Sequence, residues 1–156
     1  MKWFVGVNSK EEGKRMALQA ALTLSSGSRT TAGILLLTIV AVEAGGAYML
    51  RIVRGQESVT AFQAAFARAG HAHAGVLVSL ALICQILVDA ANMSGPAEVL
   101  ARSGVPFAAI LMPAGFFLSS HGRGVTKPNR LIVLVYLGAL SLALGAASLG
   151  IGLLTA

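Results

Sequence analysis

Residues 68–89 read Arg68-Ala-Gly-His71-Ala-His73-Ala-Gly75-Val-Leu-Val-Ser-Leu-Ala-Leu-Ile-Cys84-Gln85-Ile-Leu-Val-Asp89. From Val76 onward this is an apolar helix of membrane-spanning character, because about 20 apolar residues at 1.5 Å each cover the roughly 30 Å hydrocarbon core. Two histidines and an arginine stand at its mouth, and a glutamine and an aspartate lie farther along. Polar and ionisable groups are costly to place inside an apolar span, so by default they mark function.

The rest of the chain agrees with a membrane reading. Of its 156 residues, 56% are hydrophobic and only 12% charged, about half the charged fraction of a soluble domain, and the mean hydropathy is +0.78. Several near-continuous apolar runs make it one integral-membrane domain, with no room for a separate soluble module. The net charge of +6 comes from segments flanking the runs. It reads as topology signal and headgroup contact, not nucleic-acid binding. The single cysteine, Cys84, has no internal disulfide partner and reads as packing. The N-terminus is not a convincing signal peptide, since its apolar part is short and Lys10, Glu11, Glu12, Lys14 and Arg15 follow. Richness in Ala, Gly and Leu suggests a bacterial source, hence the bacterial cytoplasmic membrane.

The expected architecture is all-α: a four-helix transmembrane bundle preceded by an N-terminal amphipathic surface helix. Residues 1–30 form the amphipathic segment. Ser9-Lys-Glu-Glu12 has capping-box spacing, and Met16, Ala17, Ala20, Ala21 and Leu24 give a mild apolar face. It either lies on the membrane or docks on a partner. The transmembrane domain, 31–156, holds spans at about 31–53, 71–91, 105–119 and 131–154. Gly45-Gly46 permits close helix approach in the first span. The second begins outside the hydrocarbon and enters it near His71. Glu98 to Gly104 reads as a loop or short surface helix, Pro106 as a first-turn residue, and Pro113 as a kink. In the fourth span Gly138, Ser141, Gly145, Ser148 and Gly152 form a small-residue stripe that admits a neighbouring helix. Whether that neighbour belongs to this chain or another is open.

Four spans place the start of the second and the end of the third on one membrane face. That gathers all three histidines, His71, His73 and His121, with Arg68 and Arg123. Histidine commonly ligates transition metals and haem iron, so these residues are the candidate cofactor site. Interfacial histidines also bond headgroups, water or loop carbonyls, and they serve in pH sensing and proton transfer. His71 and His73 lie about 200° apart on a helix. Either the helix is irregular or one of them points outward. The face holding His71, Gln85 and Asp89 is the expected inward one, and His121 the expected partner of His71. Asp89 lies about 27 Å from His71 along the axis, at the opposite membrane surface, where it reads as a solvated helix end. Glu43, near mid-depth of the first span, is expected to be protonated or paired within the bundle. With Gln85 it makes a second candidate set of buried polar groups. Lys and Arg divide evenly between the two faces. The shorter first and third loops tilt those toward the cytoplasm.

Arg68-Ala-Gly-His71-Ala-His73-Ala-Gly-Val-Leu77 resembles the His-x-His-Ala helix entrance of nitric oxide reductase and other haem–copper oxidase catalytic subunits. It is also similar to that of small four-helix membrane proteins sharing the pattern. In the large enzymes such a histidine ligates a low-spin haem, so the resemblance implies a ligand at His71 or His73. This chain lacks the other metal-ligand histidines of that family, which implies no oxygen or nitric oxide chemistry here. The absence of CxxCH excludes covalent c-type haem, and no catalytic constellation is present. Three functions follow as expectations. One is a redox-associated component binding b-type haem or a transition metal. Another is an accessory subunit of a larger membrane complex, docking through the fourth-span stripe. The third is an oligomeric transporter for ions or small solutes that encloses Glu43.

Overall fold

A computed structural model describes residues 9–16 and 23–155. Residues 9–16 are helical and exposed (α1). Ala17, Ala20 and Ala21, expected on the apolar face of the surface helix, lie outside the described residues. Four long helices follow: α2 (Ser26–Val53), α3 (Ala61–Ala90), α4 (Gly95–Ser119) and, after a 3-10 turn at Arg130–Ile132, α5 (Val133–Thr155). Each is long and apolar enough to cross a membrane. The chain is an all-α integral membrane protein.

Local chemistry sets the helix ends. The Ser25 hydroxyl caps α2 by accepting from the Ser28 amide at 3.1 Å. Thr60 and Gln63 cap α3 reciprocally, Gln63 N–H to Thr60 Oγ1 and Thr60 N–H to Gln63 Oε1, each at 3.1 Å, as a capping box does. A tight turn joins α3 to α4, with Asn92 at φ 48° and Gly95 at φ 69°. The left-handed backbone at Gly95 suits a residue without Cβ.

The third span differs from its expected form. Helix α4 starts at Gly95, so Glu98 to Gly104, expected as a loop or a short surface helix, is the first part of the spanning helix itself. Pro96 occupies the first turn, whereas Pro106 and Pro113 are both interior. Pro106 has no N–H to give the Arg102 carbonyl one turn back. The Gln85 side-chain amide donates to that carbonyl instead, at 2.8 Å, which is how the helix runs through the proline with its backbone acceptor satisfied.

The helices lie in chain order, each packed on the next. The closest pair is α4 with α5, and here the fourth-span stripe finds its partner. A Cβ on Gly104 would stand 2.6 Å from the Gly145 Cα, and one on Gly145 would stand 2.8 Å from the Gly104 Cα. The two backbones touch, as small residues permit. Ser141 Oγ donates to the Gly104 carbonyl and Ser148 Oγ to the Ala97 carbonyl, both at 2.8 Å. Gly138 rests on Met112 and Gly152 on Met93. All five stripe residues are thus engaged within the chain. This corrects the expectation that the stripe docks the protein onto another subunit.

The core, Val78, Ala81, Cys84, Val88, Ala101, Val105 and Leu149, is contributed by α3, α4 and α5, with Leu35 of α2 packed onto it. Helix α2 is the outlier. It buries only Ser28 and Leu35, lies along α3, and meets α4 through hydrogen bonds at its first turn.

Candidate functional site

The histidines are set by α3 lying between two neighbours. His71 turns toward α2, where Gly45 and Gly46 form a notch for the ring. Cβ atoms at those positions would stand 3.3 Å from His71 Nδ1 and 3.5 Å from Cε1. His73 turns toward α4. Its ring lies 5.0 Å from that of Phe116, and its Nδ1 donates to the Ala69 carbonyl at 2.7 Å. A carbonyl can only accept, so Nδ1 carries the proton, and in the neutral ring Nε2 keeps its lone pair. The helix is therefore regular, and neither histidine faces away from protein. Both phases of a middle helix have partners, which resolves the dilemma of their 200° separation. His71 and His73 are each half-buried.

His121 occupies a third environment. It is exposed on the loop after α4 and lines a cleft of about 730 Å³. Tyr48, Glu57, Gln63, Phe117 and Arg123 line the same cleft, while His71 and His73 do not. Arg68, on α3, is exposed and outside the lining. The three histidines thus face α2, α4 and the cleft respectively. Among the described residues no three His, Cys, Asp or Glu side chains lie together so as to hold a metal ion.

The cleft is shaped by side chain-to-backbone bonds. Gln63 Nε2 donates to the Ser120 carbonyl at 3.0 Å and to the Gly122 carbonyl at 2.8 Å. Thr60 Oγ1 donates to the Val125 carbonyl, and Asn129 N–H reaches the Ser119 carbonyl at 2.9 Å. One side chain at the start of α3 therefore both caps its own helix and holds the loop carrying His121 and Arg123. Glu57, at the cleft edge, is paired with Arg51 at 2.6 Å.

The opposite membrane end holds a cluster that sequence reasoning did not assemble. Arg102 bridges Asp89 of α3 at 3.0 Å and Glu98 of its own helix at 2.9 Å. It also donates to the Ser28 hydroxyl of α2. Asp89 accepts from the Ser25 amide at 2.8 Å, and Ser28 Oγ donates to the Gln85 carbonyl at 3.2 Å. Asp89, expected as a solvated helix end, is therefore a three-helix tie. Gln85 is buried as expected, at 0% exposure. Its amide nitrogen serves the Arg102 carbonyl while its Oε1 has no partner among the described residues. The one sequence signal for this cluster was the Glu98–Arg102 spacing, which pairs charges only on a helix. Reading 98–104 as a loop or a short surface helix, apart from the spanning helix, hid it.

Glu43 corrects the second candidate set. It is exposed on α2, not buried in the bundle, because α2 turns Val42, Gly45 and Gly46 toward α3 and Glu43 away. Gly33, Leu36, Val40, Glu43, Ala47 and Leu50 recur at alternating spacings of three and four, and all are exposed. They form one continuous outer stripe. Compared with protein-family models, curated proteins and solved structures, the chain matches none.

Proposed function

We propose that this protein is a non-enzymatic membrane subunit that assembles with copies of itself through the outer stripe of α2, enclosing Glu43. The observation that carries this reading is a carboxylic side chain exposed in the middle of a membrane-spanning helix. Exposing an acidic group to lipid there costs about 2.5–3.5 kcal/mol, so a polar partner at the same depth is favoured. Copies inserted with one topology carry their α2 helices parallel, and Glu43 then meets Glu43 at equal depth. Two carboxyl groups so placed give each other a hydrogen-bonding partner away from lipid. Gly33, beside which a Cβ would meet nothing within 4 Å, and Ala47 leave room for close approach.

The test is disulfide crosslinking in native membranes, with Cys84→Ala as background. Val40→Cys and Ala47→Cys should give dimers on oxidation, whereas Leu144→Cys, exposed on α5, should not. Monomers at all three positions would overturn the reading. If the assembly conducts protons or cations, Glu43→Gln should abolish flux in liposomes while leaving the crosslinks in place.

A second reading, a redox-associated component binding b-type haem or a transition metal, is favoured by His73. A ring whose Nδ1–H is held by a backbone carbonyl presents Nε2 as haem and metal ligands do. With the histidines of one chain facing apart, this reading too requires a ligand from a second copy. A Soret band or bound metal in protein purified in mild detergent, lost in His73→Ala, is the expected sign. A colourless, metal-free preparation would end it.

A further inference from the structure

We infer that the cleft carrying His121 and Arg123 binds the phosphate headgroup of an anionic phospholipid, with the first part of an acyl chain against its apolar wall. The volume, about 730 Å³, is in the range of small-molecule sites, roughly 300–1,000 Å³. The position is interfacial. The walls are the end of α2, the first turns of α3 and the end of α4, where these helices leave the membrane.

The lining is divided by chemistry. Val59, Ala67 and Phe117 give an apolar side, and Phe117 is exposed toward the space. Tyr48 and Ser58 bring hydroxyl groups, and His121 and Arg123 stand on the loop, whereas the Ser120 hydroxyl is already spent on the Phe116 and Phe117 carbonyls. A free anion has no use for the apolar side, and a neutral apolar ligand has no use for the arginine. An amphiphile with a phosphate head uses both.

Charge decides the sign of that head. Glu57 is the acidic residue of the lining, and Arg51 already neutralises it. Among the described residues Arg123 has no acidic partner. Exposed Arg54, Lys127 and Arg130 on the same membrane face add to the positive field. The loop's rigidity is also relevant. Gln63, Thr60 and Asn129 hold the backbone from Ser119 to Val125, so the Arg123 guanidinium is presented from a fixed base. Less ordering is then needed when it forms charge-assisted bonds to phosphate oxygens.

The experiment uses the full chain in a neutral maltoside detergent, where no charged bilayer surface contributes. Dioctanoyl phosphatidylglycerol, dioctanoyl phosphatidylcholine and inorganic phosphate are titrated separately, and binding is read by native mass spectrometry. The phosphatidylglycerol should bind about tenfold more tightly than the phosphatidylcholine, with no binding of inorganic phosphate at equal concentration. Arg123→Gln should weaken phosphatidylglycerol binding about tenfold, and Arg130→Gln, outside the cleft, at most about twofold. Circular dichroism melting confirms that both variants fold. If Arg123→Gln does not fold, Tyr48→Phe, which removes one hydroxyl donor from the lining, replaces it and should weaken binding at least about threefold. Equal affinity for the two lipids overturns the proposal. So do equal effects of the two arginine substitutions, unchanged binding by Tyr48→Phe where that variant is used, and inorganic phosphate binding as tightly as the lipid.

Discussion

At the scale of single residues, Arg102 is the side chain on which most depends. It is three-quarters covered, with 24% of its side chain exposed, and it compensates two carboxylates. Arg102→Gln would strand Asp89 and Glu98 without their counter-charge. Removing one partner of a buried pair typically costs about 3–5 kcal/mol. Partial exposure brings the expected loss to about 2–3 kcal/mol, read as a lowered unfolding midpoint in detergent. Adding Asp89→Asn should recover part of that loss, since the uncompensated charge goes with it. Pro106 and Gln85 make a subtler pair. Gln85→Leu leaves the Arg102 carbonyl buried without its donor and should cost about 1–3 kcal/mol. In a Pro106→Ala background the restored N–H takes that carbonyl, so the same Gln85→Leu change should cost distinctly less. A double-mutant cycle on thermal stability measures the difference, and strict additivity would refute the assigned role of Gln85.

At the scale of elements, the α4–α5 pair is fastened by backbone contact. Gly104→Ala and Gly145→Ala each push a Cβ to within 3 Å of the opposing Cα and should lower stability by about 1–3 kcal/mol. Gly150→Ala, whose Cβ would meet nothing within 4 Å, should be neutral or gain up to about 1 kcal/mol from helix propensity. The small-residue stripe of α5 was legible from spacing alone, as was the apolar character of every span. Its partner was not, because the facing stretch of α4 carries Gly95, Pro96, Gly104 and Pro106. Local rules read each as punctuation. Only tertiary contacts show that Gly104 serves Gly145, and that a side chain from α3 covers the acceptor Pro106 leaves open. The histidines illustrate the same limit. Their angular separation followed from periodicity, but which neighbour each would meet depended on α3 lying between α2 and α4. Glu43 was placed on the wrong side, because counting along one helix fixes angular position while facing follows from where the neighbouring helices lie.

At the scale of the whole molecule, the two membrane ends differ in how their charge is held. At the cleft end Arg54, Arg123, Lys127 and Arg130 are exposed without acidic partners among the described residues. At the other end Arg102 is consumed inside the helix layer by Asp89 and Glu98. Arg29 is exposed at that end too, with Lys10 and Arg15 before it, so the overall division of Lys and Arg stays even. The helix connections at the cleft end, however, carry Arg54, Arg123 and Lys127 while residues 91–94 carry no Lys or Arg, which makes the cleft end the expected cytoplasmic side. A cysteine at Ser58 should be blocked by a membrane-impermeant thiol reagent only after the cells are opened, and one at Ser94 in intact spheroplasts. The reverse pattern would invert the topology. The loose seating of α2 also has a mechanical consequence. Pulled from its N-terminus by a force probe, the protein should release α2 first, as one discrete step, leaving the tighter layers standing. The height of that first rupture should be set at the Ser25–Asp89–Arg102 tie, so Asp89→Asn should lower the first peak and leave the later ones where they are.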